Sequence, residues 1–591
     1  VKQQAASQPD DLALVFIEED GRAHTLTCAQ FWQSAVTAAH SLQNHNIHHD
    51  DLVILVMQHS QELLTTFWGA MHIGAIPSIF PFLTEKLDPQ IYMERVRALV
   101  AQANARAVIT FPDFKTPLTN LLASVGCLVL GSDEVFHPHP DPPPGRRGES
   151  ASLPLEEENW GEGSVPFSLE GEGWGEGESY SLSLEKENWS EGANKIAFLQ
   201  HSSGTTGLQK GVALPHRAVL NQIDSYSQAI NLNKEDVIVS WLPLYHDMGL
   251  IAGFILPLVA GVPLVLMSPF DWVRDPKRLL WAIHDHRGTL CWLPNFAYNH
   301  MAKSIRKRDL AGLNLRSWRL AINCSEPVRY DSHQIFLQQF APFGFQESAL
   351  ATCYAMAENT FAVTQSEVKW PLPVQWIDLP KLQSEQIAIP IPPAEPQATA
   401  IVSCGRPISG TEIAIVNENG EPLPENHLGE IILRGSAMLS GYYQRPDLTA
   451  QAIRDGWYYT GDIGYLSQGE LYITGRKKDL IIVAGKNIYP QDLEAIANSI
   501  PGIHPGRAVA FGLMNERLGT EGIVMVCELA APANLHQTHN IEQALRRQII
   551  AQTEVTLADV RFVESRWILK TSSGKLARSA NRDKYLHTFS K

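Results

Sequence analysis

KIAFLQHSSGTTGLQKGV, residues 195–212, is the stretch that decides the fold. Lys195–Gln200 reads as a strand, and it runs straight into a loop of small, hydroxyl-bearing and Gly residues. Such a loop after a strand lets backbone N–H groups point at phosphate oxygens. Ser202, Ser203, Thr205 and Thr206 add hydroxyl donors, Gly204 and Gly207 leave the backbone uncovered, and Lys210 adds a positive charge. A Walker A loop does not fit, because Gly211 follows Lys210 where that pattern needs Ser or Thr. A plain polar turn is the alternative that this stretch alone leaves open.

Upstream, LVILVM (52–57), AVIT (107–110) and CLVL (127–130) are apolar runs separated by longer amphipathic stretches. They predict a parallel sheet covered by helices. Leu250–Met267 is a stretch of eighteen residues without a charge, the lower limit for a membrane span. Pro257, Pro263, Gly253 and Gly261 favour instead a buried helix, a turn at Ala260-Gly261 and a buried strand over Val262–Met267.

Between the two α/β stretches the composition changes. His139 to Gly192 is rich in Pro, Gly, Ser and Glu, and holds an imperfect repeat around Trp160, Trp174 and Trp189. Residues 149–193 hold twelve Glu and one Lys, so most of the chain's net charge of −16 sits there. Units with this composition cannot bury a core, so a disordered surface insertion is expected. A partner-binding arm with Trp anchors is the alternative.

The 591 residues suggest two to four domains. The expected division is 1–138 and 194–477 for a large N-terminal domain, 139–193 for the insertion and 478–591 for a small C-terminal domain. The acidic balance argues against a general nucleic-acid binder. Seven scattered cysteines with no CxxC pair indicate neither a zinc knuckle nor a disulfide framework, and fit a reducing, cytoplasmic setting. Val1-Lys2-Gln3-Gln4 has no apolar signal core, and the missing Met fits a chain processed or cut from something longer.

Further motifs follow in order: SWLPLYHDMGL (240–250), NCSEPV (323–328), YAMAENT (354–360), GWYYTGDIGYL (456–466), GRKKDLIIVAGKNIYPQDLE (475–494) and KTSSGKLAR (570–578). In order and spacing this series resembles the adenylate-forming (AMP-binding) superfamily of acyl- and aryl-CoA ligases, peptide-synthetase adenylation domains and fatty acyl-AMP ligases. The resemblance covers nearly the whole chain except about 139–193. It implies an α/β fold, with a large N-terminal domain of stacked sheets (the acyl-adenylate synthetase fold) and a small mobile C-terminal α+β domain.

The resemblance also implies roles. The 202–210 loop would hold the β- and γ-phosphates of ATP. Glu358 would bind Mg²⁺ with help from Thr205, Tyr354 would flank the adenine, Asp462 would accept from the ribose hydroxyls, and Arg476 would reach ribose or phosphate. Asn323, Ser325 and Glu326 would belong to the nucleotide site. Lys575 would bridge the carboxylate and the α-phosphate during adenylation, and Lys478 would be the hinge for rotation of the C-terminal domain. That rotation would bring Gly485, Lys486 and Asn487 to the site. His246 stands where peptide-synthetase domains carry an Asp for an α-amine, so it either lines the carboxylate end of an acid pocket or is a hydrogen-bonded core histidine.

The wording of PLYHDMGLIAG, PNFAYNH (294–300) and NCSEPVR is closest to the fatty acyl-AMP ligases. The 51 positions from Tyr354 to Gly405 add a stretch, about 370–398, that resembles the insertion by which that branch restrains the C-terminal domain. The expected reaction is fatty acid plus ATP to acyl-AMP and pyrophosphate, then transfer to the phosphopantetheine of an acyl carrier protein. A CoA ligase is the second expectation, and a non-catalytic ATP-binding interaction protein the third. Gln209, Ala355 and Cys324 depart from the family pattern, where Pro, Gly and Gly are usual.

Overall fold

The computed structural model describes residues 1–83, 89–136, 191–201, 210–368, 371–483, 486–515, 520–531, 535–553, 555–571 and 574–589. Residues 139–190 of the expected acidic insertion, with its three Trp, and Ser202–Gln209 of the phosphate loop lie outside the described residues; the end of the expected insertion enters a 3-10 turn over Glu191–Asn194 in which Ala193 is buried.

The apolar runs of the first part form a parallel sheet, as their composition predicts. Leu52–Val56 pairs with Ile76–Ile79 on one side and Ala107–Thr110 on the other, and Leu128–Gly131 extends the sheet. Every residue of Leu52–Val56 is buried, which a strand covered on both faces requires. Ile196–His201 joins the far side of Ile76–Ile79, and Gly211–Pro215 returns antiparallel to it. The phosphate-loop segment thus leaves from one strand of this sheet and re-enters as the next.

A second, nine-stranded sheet contains the parallel run Leu264–Met267, Ile238–Ser240, Leu290–Leu293, Leu320–Cys324 and Leu350–Ala355. The uncharged stretch lies inside this layer. Met248–Ile255 is π-helical, Leu256–Ala260 continues as α-helix, Gly261 turns at φ +71° and Leu264–Met267 is a buried strand. Among the described residues no helix is long and apolar enough to cross a membrane. A third sheet, antiparallel, is built on Thr411–Val416, Gly429–Gly435, Trp457–Ser467 and Glu470–Arg476.

The last part has its own core. Ile503–Asn515, Thr520–Leu529 and Leu557–Val563 form a three-stranded sheet, with Ile496, Ala497, Leu545 and Ile549 packed on it from two helices. The architecture is therefore mixed α/β, with a large N-terminal domain and a smaller C-terminal one.

The stretch near 370–398 is ordered structure. Val374–Asp378 pairs antiparallel with Ala398–Val402, and the Asp378 side chain caps a helix over Leu379–Glu385. Leu379 and Leu382 of that helix share a buried cluster with Tyr465 and Tyr472 of the third sheet and with Tyr489 of the C-terminal domain. The insertion thus touches both domains.

Candidate functional site

The parallel strands of the nine-stranded sheet release their loops at one edge, where α/β sheets hold ligands. Ile238–Ser240 leads into the loop bearing His246 and Asp247, and Leu290–Leu293 leads to Asn295 and Phe296. Leu320–Cys324 leads to Ser325 and Glu326, and Leu350–Ala355 carries Tyr354. Cys324 and Cys353 are register partners, so Ser325 and Tyr354 emerge side by side. Ser325 takes φ +69°, which swings the following Glu326 out of the strand line. Glu326 Oε2 then accepts from the Phe296 backbone N–H at 2.9 Å, which ties two of these loops together. Gly249 closes the His246 loop: a Cβ there would press on the Pro243 carbonyl oxygen.

Asp462 joins this edge to the third sheet. The Tyr354 hydroxyl donates to its Oδ2 at 2.6 Å and Arg476 Nε donates to its Oδ1 at 2.9 Å. Both carboxylate oxygens keep further acceptor capacity, since each has two lone pairs. Asp462 and the buried phenol together hold Arg476 above the ordinary guanidinium range, Asp462 contributing most. A neighbouring cluster is built on Glu358, whose Oε1 accepts from the Tyr442 hydroxyl at 2.9 Å. Tyr442 in turn bonds the Tyr458 hydroxyl at 3.1 Å, and Lys210 Nζ lies 4.5 Å over the Tyr442 ring. Tyr458 and Asp462 share one strand, so Glu358 and Asp462 flank the same edge.

Lys575 arrives from the C-terminal domain. Burial and the Arg476 charge lower its pKa, while Asp247 and Glu326 act in the opposite direction. The same geometry acts on its neighbours. Burial raises the Asp247 carboxyl against the pull of Lys575, and burial with the Lys575 charge pushes His246 down to about 3. His246 is therefore a neutral imidazole at pH 7. Its Nε2 is buried and has no hydrogen-bond partner among the described residues. That orphaned atom argues against a satisfied core histidine and for a ring that meets a ligand.

Asn323, expected at the nucleotide site, is wholly buried, with Nδ2 donating to Asn295 Oδ1 at 3.1 Å and facing His333 Nε2 at 2.8 Å, while its Oδ1 has no hydrogen-bond partner among the described residues. Asn295 Oδ1 also accepts from the Arg329 backbone N–H. The amide therefore stiffens the turns behind the site. Ser202, Ser203, Gly204, Thr205, Thr206, Gly207 and Gly485 lie outside the described residues, as do the side chains of Lys486 and Asn487.

Sequence reasoning missed three groups. Asp247 is a neighbour of Lys575, and its only signal was adjacency to His246. Tyr442 holds Glu358 and supports Lys210. Arg329 donates to Asp492 Oδ1 and to the Gln491 carbonyl, a junction between the two domains separated by more than 160 positions. The ion pairs around 478 are also informative. Arg476 and Lys477 bind Asp462 and Glu430 of the third sheet, whereas Asp479 binds Arg578, which also holds Glu494. Lys478 lies between the two tethered sets.

The AMP-binding enzyme family model matches residues 1–443. The medium-chain-fatty-acid--[acyl-carrier-protein] ligase JamA of Moorena producens (strain JHB) is 34% identical over 409 residues, covering 67% of this chain and 68% of its own. The long-chain-fatty-acid--AMP ligase FadD26 of Mycobacterium marinum is 28% identical over 612 residues, covering 99% and 96%. A structure from work on fatty acyl-adenylate ligases of E. coli and L. pneumophila superposes with a TM-score of 0.83 at 26% identity, over 100% of this chain and 97% of that one. With three quarters of its length matched by that model, and a fold and edge geometry consistent with it, the chain belongs to the AMP-binding enzyme family.

Proposed function

We propose that this chain is a fatty acyl-AMP ligase. It activates a fatty acid with ATP to acyl-AMP and pyrophosphate, and passes the acyl group to the phosphopantetheine thiol of an acyl carrier protein. The observation that carries this reading is the convergence of Lys575 with Asp247, Glu326, His246 and Arg476 at the edge where Tyr354 and Asp462 meet. The names of the relatives, a fatty acid–carrier protein ligase and a fatty acid–AMP ligase, support the substrate class.

The fatty acid carboxylate attacks the α-phosphorus, and the bond to the β-phosphate bridging oxygen breaks as pyrophosphate leaves. Charge grows on the phosphate oxygens, so fixed donors placed in advance lower the barrier. Lys575 bridges the incoming carboxylate and the α-phosphate. Asp247 and Glu326 favour its ammonium form, against burial and the Arg476 charge, which together lower its pKa. The neutral His246 ring offers Nε2 at the carboxylate end of the acid pocket. Tyr354 flanks the adenine, Asp462 accepts from the ribose hydroxyls while orienting Arg476, and Ser325 and Glu326 border the nucleotide. The loop from Ser202 to Lys210 takes the β- and γ-phosphates.

Glu358 is the residue that would hold Mg²⁺, with Thr205. A single carboxylate, anchored by Tyr442, fits this ion, which is bound by one or two carboxylates plus substrate phosphates and water. When bound, the ion would neutralise phosphate charge. For the transfer step the thiolate attacks the acyl carbonyl carbon and AMP leaves. The C-terminal domain turns about Lys478, the residue between the two tethered sets of ion pairs, and takes Lys575 away.

The helix Leu379–Glu385 shares a buried cluster with Tyr489 and so restrains the domain that must turn before transfer to any thiol; what supports a carrier protein over CoA is the name of the carrier-protein ligase among the relatives. A putative acyl-CoA synthetase of Caulobacter vibrioides, 34% identical over 394 residues, keeps the CoA reading alive. Incubation with fatty acids, ATP and either CoA or a holo acyl carrier protein tests the proposal. Pyrophosphate release dependent on the acid, with acyl-AMP and acyl-carrier products by mass spectrometry, is expected. Abundant acyl-CoA would overturn the acceptor, and absence of any acyl-AMP would overturn the activity.

A further inference from the structure

The helix Asn295–Ser304 has two ends with different surroundings. At its start the Phe296 backbone N–H donates to Glu326, so this end is joined to the site. Ala297, Tyr298 and Met301 face inward and are buried. Phe296 and Lys303 face outward, and Phe296 is 40% exposed. Beside it lies Val273, 42% exposed, whose carbonyl faces His300 Nε2 at 3.3 Å. This apolar pair is rigidly backed. Trp241 stacks on Trp272 with centroids 3.5 Å apart, and Phe296 meets both rings edge-on at 6.2 and 6.0 Å. An anchor already fixed loses little freedom on binding.

Beyond the helix the chain turns strongly basic. Lys303, Arg306, Lys307 and Arg308 are all exposed, four cations in six residues of a chain with net charge −16. Among the described residues only Arg308 of these four has an acidic partner, Asp309 at 3.6 Å. A run of charge is ordinarily a solvated face. Here, among the described residues, three of the four cations have no acidic partner, and the run adjoins exposed apolar side chains and continues a helix that starts at the site. From Phe296 to Lys303 is seven residues, roughly 10 Å of helical rise.

We propose that this face, with Val273 and Phe296 as anchors and Lys303, Arg306, Lys307 and Arg308 as the charged rim, docks the phosphopantetheine-bearing carrier protein. The inference rests on the activity reading above. The partner it fits is anionic at its point of contact: the prosthetic arm is joined to its carrier through a negatively charged phosphodiester. Complementary charge speeds encounter and fixes orientation, and the effect weakens with salt.

The test is the triple variant Arg306→Glu, Lys307→Glu, Arg308→Glu in the full chain, assayed in three ways. Pyrophosphate release should equal wild type, which also reports a folded protein. Acyl transfer to free pantetheine should be unchanged. Transfer to a holo acyl carrier protein should fall at least tenfold in kcat/KM at low salt, and the salt sensitivity seen with wild type should be lost. Equal carrier transfer by variant and wild type would overturn the inference, as would parallel loss of transfer to free pantetheine. It would also be overturned if wild type formed acyl-AMP but transferred nothing to the carrier, with the activity reading left standing. A wild type that forms no acyl-AMP would overturn the activity reading, and this docking role with it. Salt-sensitive binding of wild type to phosphatidylglycerol vesicles, lost in a variant with normal carrier transfer, would assign the face to a membrane surface instead.

Discussion

Replacing Lys575 by Ala gives the sharpest test of how the site is assembled. The ammonium enters from the C-terminal domain into a setting shaped by Arg476, Asp247 and Glu326, and burial there disfavours its charge. At an effective dielectric of about 20, a unit charge about 4 Å from a developing anion contributes about 4 kcal/mol. That corresponds to roughly 10³-fold in rate. Asp247 and Glu326 offset part of it, because they interact with the same ammonium and repel phosphate. Loss of about 10² to 10³-fold in adenylation is therefore expected, the range seen when one preorganised donor is removed. The assay is pyrophosphate release with a fatty acid that wild type turns over. Acyl transfer from acyl-AMP supplied ready-made should stay at the wild-type rate, since Lys575 has left the site by then. A Lys575→Ala protein that adenylates at close to the wild-type rate would refute the reasoning. So would one that loses both half-reactions equally.

Other expectations follow from neighbouring contacts. Asp247 raises the Lys575 pKa against burial and Arg476, so Asp247→Asn should let the ammonium lose its proton at lower pH. The basic limb of the pH–rate profile for adenylation should then move to lower pH, and an unmoved limb would remove Asp247 from the site. Arg329→Ala breaks the junction with Asp492 and Gln491. The two side chains are 34% and 26% exposed, so the expected cost is about 1–3 kcal/mol, between the surface and buried limits. Faster hydrogen exchange over the helix Pro490–Ser499 should report it. Gly249→Ala would force a methyl group onto the Pro243 carbonyl oxygen, a backbone atom that cannot rotate away. Thermal unfolding should show a loss of about 1–3 kcal/mol, the usual range for overpacking.

Much of this architecture was legible in the sequence. Leu52–Val56, Ala107–Thr110 and Leu128–Gly131 are strands because continuous apolar runs of four to six residues fit a sheet covered on both faces. Gly261 ends the helix inside the apolar stretch with a turn, for the reason expected of a left-handed residue. The π-helical turn of Met248–Ile255 was not legible, because an unbroken apolar run carries no period to separate one helix type from another. The long stretch after Tyr354 could be measured but not folded by eye. Its two strands, Val374–Asp378 and Ala398–Val402, find each other across a helix and a proline-rich segment. Within the candidate site, the charged residues that meet at this edge, Asp462, Arg476 and Lys575, stand in recognisable motifs. Those that matter through a partner were not legible, since Asp247 acquires its meaning only when Lys575 arrives from the far end of the chain.

The same dependence on distant partners bears on how the protein can complete two reactions. Lys575 reaches the site only while the C-terminal domain rests where it does. Among the described residues, the contacts that hold it there include the partly exposed Arg329–Asp492 pair, hydrogen bonds of Arg329 to the Gln491 carbonyl and of Gln491 to the Thr474 carbonyl, and a buried cluster shared by Tyr489, Leu379 and Leu382. Arg578, by contrast, binds Asp479 and Glu494 within the C-terminal domain, through ion pairs more buried than Arg329–Asp492. Of these pairs, the more buried are internal to the domain and the more exposed one lies between domains. Such a division suits a lid that must be released as a unit, because breaking a few kcal/mol of interface costs far less than unfolding either part. The helix Leu379–Glu385 is then the adjustable element. On the proposed cycle, each apolar contact it adds to Tyr489 would favour the adenylating arrangement and slow the turn before transfer.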